Sequence, residues 1–173
     1  TKLSAELLLK EYIQNYHIRG IINRFGLISG PWQMGKVDQG VIVLWMAHHI
    51  FKKPVSYVGF LGKGKQVRDV IHVDDLFDVL DKQINHLEEF NSEVFNVGGG
   101  VANSVSLKEL TGLCQEITGN KVGEKSIVET RPGDIKLYIS DNSKISENLS
   151  HFLEGGPWKP KKSVQETLKE VKR

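Results

Sequence analysis

Disulfide frameworks and zinc clusters are excluded by what the chain lacks. Cys114 is the only cysteine among 173 residues, and it sits in a helical pattern with Leu110, Leu113 and Ile117. A reducing, cytoplasmic setting fits that usage. Long apolar runs are missing as well: Val41 to Ala47 is the longest, far too short to span a bilayer, and no secretory leader is visible. Charge of one sign is scarce. Lys and Arg number 23 against 21 Asp and Glu, for a net charge of +2, and the two signs mix everywhere except the tail from Lys159 to Arg173. With no basic stripe, nucleic-acid binding is set aside. There is no internal repeat, low-complexity segment or interdomain linker. The remaining composition, 39% hydrophobic and 25% charged, supplies a core for one compact domain. Thr1 and Lys2 lead straight into a helical pattern without a starting Met or an upstream strand, so an interior start is expected and the polypeptide reads as a piece of a longer one.

Periodicity then gives the elements. Ala5, Leu8, Leu9, Tyr12 and Tyr16 follow helical spacing between Lys2 and Tyr16, which predicts an amphipathic helix. Ile18 to Phe25 is short and rich in branched residues, and Gly26, Gly30 and Pro31 follow it, which predicts a buried strand. A second helix is expected from Gly40 to about Phe51, then a strand from Val55 to Phe60 that ends among Gly59, Gly62 and Gly64. A helix over Asp74 to Phe90 and a strand over Glu93 to Val97 come next, the latter stopped by Gly98, Gly99 and Gly100. Ser106 with Glu109, and Ser163 with Glu166, are capping boxes, because a hydroxyl and a carboxylate three residues apart satisfy each other's orphan amides. Helices alternating with short strands define an α/β fold.

Several motifs invite a chemical reading. Gly59, Gly64 and Lys65 have phosphate-loop spacing, but Gln66 stands where a metal-binding Ser or Thr is needed and no helix follows, so a glycine-rich turn explains them better. Gly98 to Gly100 lacks dinucleotide-fingerprint spacing and reads as a turn permitting close backbone approach. His48 and His49 point about 100° apart on a helix and cannot share a metal, and no metal site is expected elsewhere. Arg68-Asp69-Val70-Ile71-His72-Val73-Asp74-Asp75 alternates charged with apolar residues; an ion-paired strand leading to a capped helix is favoured over a site. Arg131-Pro132-Gly133-Asp134 puts a guanidinium beside a tight turn, where its fork suits phosphate or carboxylate, although a plain surface turn looks the same. The residues alone thus give an α/β domain with Arg68 and Arg131 as candidate anion binders and no reaction.

Four segments together resemble the extended short-chain dehydrogenase/reductase family acting on nucleotide sugars. Thr1-Lys2-Leu3-Ser4-Ala5-Glu6 is similar to the end of its Tyr-x-x-x-Lys motif and the following helix, with Lys2 as the motif lysine and the tyrosine falling upstream of Thr1. Ile22-Asn23-Arg24-Phe25-Gly26, ending at Gly30-Pro31, resembles the strand and loop whose asparagine meets the substrate diphosphate, a role that passes to Asn23. Gln66-Val67-Arg68-Asp69-Val70-Ile71-His72-Val73-Asp74-Asp75-Leu76 is close to the signature Arg-Asp-x-x-His-Val-x-Asp, which assigns Arg68 to the diphosphate. Arg131-Pro132-Gly133-Asp134 resembles the element that holds phosphate and ribose, and Asn96-Val97-Gly98 and Trp158-Lys159-Pro160 also have counterparts. The segment Gly30 to Gly40 and the run Val41 to Ala47 resemble the branch that epimerises CDP-linked sugars more than UDP-glucose 4-epimerases or 4,6-dehydratases. By that likeness Gln39 and Val41 lie against the nucleotide, with Ser56 and Tyr57 near the base.

The resemblance implies the C-terminal part of such a protein. Residues 1–26 would end a Rossmann dinucleotide-binding domain, 27–173 would form mainly the smaller α/β substrate-binding subdomain, and 92–98 would return to the Rossmann sheet. It implies NAD as cofactor, with Lys2 binding the nicotinamide ribose and favouring an ionised tyrosine by its charge. It further implies transient oxidation at sugar C2, the tyrosinate taking the hydroxyl proton while NAD+ accepts hydride, and a nucleoside diphosphate sugar, CDP-linked by preference, anchored by the arginines. The tyrosine, the glycine-rich NAD loop and the active-site Ser or Thr would lie upstream, so the chain alone is expected neither to bind NAD tightly nor to turn over. The rivals are another nucleotide-sugar 4-epimerase or dehydratase, and a non-catalytic sugar-nucleotide-binding module. The helix Leu3 to Tyr16 is a candidate homo-oligomer face, and the strand Ile18 to Phe25 a candidate unpaired edge.

Overall fold

The computed structural model describes residues 1–36 and 39–173. The elements run α1 (Lys2–Tyr16), β1 (Ile22–Phe25), β2 (Leu27–Ser29), α2 (Val41–Ile50), β3 (Val55–Val58), β4 (Val67–His72), α3 (Val73–Asn85), α4 (Leu87–Phe90), β5 (Val94–Val97), β6 (Ser104–Ser106), α5 (Leu107–Thr118), β7 (Glu124–Ile127), β8 (Leu137–Tyr138), α6 (Ser143–Ser150) and α7 (Val164–Lys172).

Strand β4 organises the molecule. It pairs in parallel with β2, Leu27 beside Val70 and Ser29 beside His72; antiparallel with β6, Arg68 beside Val105; and in parallel with β8, Arg68 beside Tyr138. Alternation along a strand sends successive side chains to opposite faces. Val70 accordingly joins one core with Ile42, Met46, Leu110 and Leu168, while Ile71 joins a second with Val79, Phe95, Ile145 and Leu149. β1 pairs in parallel with β5, Ile22 beside Val94, and β3 with β7, Val55 beside Glu124.

Both capping boxes form as expected: Ser106 and Glu109 cap α5, Ser163 and Glu166 cap α7. Each holds its carboxyl below the usual carboxylate range, because the serine hydroxyl and then the serine amide donate to the ionised form. Other expectations shift. The strand awaited from Ile18 begins at Ile22, since Gly20 is instead held by its amide donating to the Asn91 side chain. The strand from Val55 stops at Val58, where Gly59, Phe60 and Leu61 all take positive φ. The helix awaited over Asp74 to Phe90 breaks at His86, whose φ of −125° is non-helical and whose ring stacks on Phe152 at 4.1 Å. Helix α1 forms over its expected 15 residues but buries none of them. Leu9 and Ile13 close over Gly20, Glu6 pairs with Arg24 of β1 at 2.6 Å, and Leu3, Leu7, Leu8, Tyr12 and Tyr16 stay exposed.

The segment from Arg68 to Asp75 behaves as an ion-paired strand feeding a capped helix. His72, fully buried, accepts from the Asp74 amide at 3.0 Å through Nδ1, which fixes its neutral proton on Nε2, 3.1 Å from Glu170 of α7. Asp75 receives the backbone amides of Lys161 and Lys162, each at 3.0 Å. These contacts bind the approach to α7 onto α3.

Candidate functional site

A hollow of about 440 Å³ opens between α2, β3, β4, α5 and the turn at residues 131–134. That size suits a small ligand. Helix α2 contributes Val41, Leu44, Trp45 and His48, which recur with helical spacing and so present one face. Strand β3 contributes Ser56 and Val58, two residues apart and therefore on one side of the strand, while β4 contributes Arg68 and the segment just before it contributes Gln66.

Pairing of β4 with β8 carries the 131–134 turn to Arg68. The Val67 amide donates to Lys136 O at 3.0 Å, and the turn closes by the Asp134 amide donating to Arg131 O at 3.1 Å, with Gly133 at φ 77°. The Arg68 guanidinium donates to Val67 O at 2.9 Å and to Asp134 Oδ1 at 3.1 Å, and the same oxygen accepts the Ile135 amide at 2.9 Å. Two motifs far apart in sequence thus share an ion pair at the wall of one hollow. Arginine forks beside an apolar lining can fix a diphosphate at one end and a flat apolar group at the other.

Of the sequence candidates, Gln39, Val41, Ser56, Arg68, Arg131 and Asp134 all line this hollow. Tyr57 stands behind its wall, not in it. Its ring stacks on Trp45 at 6.3 Å and its hydroxyl donates to Thr111 Oγ1 at 2.7 Å, an oxygen that also accepts from Trp45 Nε1 at 2.9 Å. Burial pushes the Tyr57 phenol up, by disfavouring the phenolate. Asn23 is elsewhere: on β1 its amide donates to Gln83 at 2.7 Å and accepts from Gln83 at 3.0 Å, so both of its polar atoms are engaged away from the hollow. Lys2 is exposed at the first turn of α1, also outside it. Val37 and Asp38, within the Gly30 to Gly40 segment that carries the likeness to the CDP-sugar branch, lie outside the described residues.

Sequence reasoning missed Leu27, His48, Gln66, Val105, Leu107 and Leu110 as lining residues. The spacing of residues 41, 44, 45 and 48 could have flagged His48; the others depend on long-range pairing. His48 and His49 do diverge, His48 Nδ1 meeting Pro54 O at 2.7 Å and His49 Nδ1 meeting Trp45 O at 2.8 Å. His72, Asp74 and Glu170 bring ligand atoms within 4.8 Å of one another, but the Lys162 ammonium is bonded to Glu170 and lies 3.7 Å from Asp74, supplying the positive charge a metal would bring.

Comparison with known proteins places these features. Residues 1–98 match the NAD dependent epimerase/dehydratase family, and the chain belongs to it. It is 23% identical over 176 residues to CDP-paratose 2-epimerase of Salmonella typhi, covering 99% of this chain and 49% of that protein. It is 35% identical over 155 residues to dTDP-glucose 4,6-dehydratase of Streptomyces griseus, covering 86% of this chain and 42% of that one. The crystal structure of UDP-glucose 4-epimerase from Thermotoga maritima with UDP-glucose superposes with a TM-score of 0.79 at 29% identity, over 98% of this chain and 50% of that chain. The α/β fold is thus that of Rossmann-like epimerases, and the chain spans about half the length of the curated relatives it matches.

The family is NAD dependent by its description. The glycine run from Gly98 to Gly100 does not form a dinucleotide cradle. A Cβ at Gly98 would lie 2.2 Å from Asp69 Oδ2, and one at Gly99 would lie 2.1 Å from Val70 O, so this glycine run packs the protein against itself. Among the described residues no helix is long and apolar enough to cross a membrane.

Proposed function

We propose that this chain is the nucleotide-sugar-binding part of an NAD-dependent epimerase that interconverts CDP-paratose and CDP-tyvelose by inversion at C2 through a transient keto sugar. The observation that carries the reading is the hollow that gathers Gln39, Val41, Ser56, Arg68, Arg131 and Asp134. Arg68 and Arg131 neutralise the diphosphate, Asp134 accepts from ribose hydroxyls, and Gln39, Val41 and Ser56 lie along the nucleoside, with Tyr57 backing the wall near the base. Anchoring the diphosphate leaves the sugar free to turn while the remainder of the substrate stays fixed. The division at residue 26 belongs to this reading: β1 and β5 form the edge of the dinucleotide domain, and the hollow lies in the substrate subdomain. So do a cytoplasmic setting and self-association through the exposed apolar side of α1.

The CDP preference follows the end-to-end likeness to the Salmonella typhi protein. A 4-epimerase or 4,6-dehydratase is the second reading, favoured by the 35% identity to the Streptomyces griseus protein and by the fold match to a UDP-glucose complex. Calorimetric titration of the 173-residue chain with CDP, UDP and dTDP separates them. Saturable binding tightest for CDP, weakened about ten- to a hundredfold by Arg68→Gln, is expected, since that change removes charge-assisted hydrogen bonds. Equal or tighter binding of UDP or dTDP selects the second reading. Absence of saturable binding for all three sinks both.

A further inference from the structure

We infer that His48 selects the base, its Nε2 accepting a hydrogen bond from the exocyclic amino group of cytosine. The inference rests on the nucleotide-sugar reading of the hollow and names the residue that discriminates within it.

His48 lines the hollow from the α2 face that also presents Val41, Leu44 and Trp45, the apolar side against which a flat ring can lie. Its Nδ1 stands 2.7 Å from Pro54 O. A carbonyl only accepts, so Nδ1 carries the hydrogen, and in the neutral imidazole the other nitrogen, Nε2, is a bare acceptor. Among the described residues Nε2 makes no hydrogen bond. Pro54 immediately precedes β3, so the contact holds the ring against the start of the strand that brings Ser56 and Val58 to the same lining.

Gln66 adds to the same polarity. It spends its amide donor on Val58 O, and its Oε1 is left without a partner. Gln66 Oε1 therefore adds an open acceptor to the wall, while the Ser56 hydroxyl and the Gln39 carboxamide can serve either way. Cytosine places an amino donor at C4. Uracil and thymine place a carbonyl there, which would set one acceptor against another and leave both unpaired.

The test is a matched titration of CDP and UDP against the wild-type chain, His48→Asn and His48→Gln. The asparagine amide reproduces the donor to Pro54 and removes the outer nitrogen; the glutamine carbonyl reaches towards where Nε2 stood. Wild type should prefer CDP by roughly five- to tenfold, the worth of one hydrogen bond. His48→Asn should bring that ratio to about one while UDP affinity holds, and His48→Gln should restore a preference for CDP. An unchanged ratio in His48→Asn, or equal weakening of CDP and UDP, overturns the inference, because the ring would then act only as wall or as a ribose contact. Failure of wild type to bind either nucleotide removes the underlying reading, and this assignment with it.

Discussion

Replacing Asp75 by Asn tests the clasp that holds α7 to the rest of the chain. The carboxylate is 2% exposed and takes the amides of Lys161 and Lys162, one on each oxygen, both at 3.0 Å. An amide of the same shape keeps one accepting oxygen and turns an NH2 towards the other backbone N–H. A hydrogen bond to a charged acceptor contributes roughly 1.5–3 kcal/mol, and a buried donor left unsatisfied costs about 1–3 more, so the loss should be about 3–5 kcal/mol. For a chain of this size that corresponds to a Tm lower by roughly 6–20 °C. Urea unfolding gives the change directly, and a midpoint that falls at constant slope attributes it to stability, not to denatured-state compactness. Asp78→Asn is the control. That residue sits one helical turn away and pairs with Lys161 through side chains that are largely exposed, so about 0.5 kcal/mol or less is expected. If Asp75→Asn costs no more than Asp78→Asn, the clasp is not what fixes the C-terminal helix.

Three further outcomes follow from the packing. Gly99→Ala should destabilise by about 3 kcal/mol or more, because its Cβ would meet the Val70 carbonyl at 2.1 Å, and native-like urea stability would refute the close approach. Ser106→Ala should cost about 1 kcal/mol at neutral pH. Since the folded Glu109 carboxyl is held below its ordinary value, the wild type gains that stability above the unfolded value and loses it as pH falls through the folded one. The variant should therefore show a shallower acid-side decline, and parallel curves would argue against the capping box. Cys114 is fully buried with its thiol pushed up to about 12 by desolvation, so alkylation at pH 8 should proceed only at the rate of opening; a fast reaction with folded protein would contradict that burial.

What could be read ahead of the structure was local. Ser106 with Glu109 and Ser163 with Glu166 announced their helices because a capping box needs only residues three apart. The Arg68 to Asp75 run announced a strand and a capped helix for the same reason. The contact between Arg68 and Asp134 was not readable, since it exists only because β8 lies along β4, a pairing no spacing encodes. The same limit applies to Asn23, whose strand position gave no sign that Gln83 on α3 would engage its amide from both sides. His48 was discounted as a metal ligand for a sound reason, divergence from His49, but that reason said nothing about the hollow its own helix face lines. His86 breaks a helix whose polar and apolar pattern continues through it, and its stacking on Phe152 is a long-range contact that local spacing does not reveal.

The structure of this chain crystallised with CDP is the direct test of the nucleotide site. Pyrophosphate oxygens should lie about 3 Å from the guanidinium nitrogens of Arg68 and Arg131, with the base against the Val41 and Trp45 side of α2. Density for CDP anywhere outside this hollow, or inside it with the phosphates turned away from both arginines, would contradict the assignment.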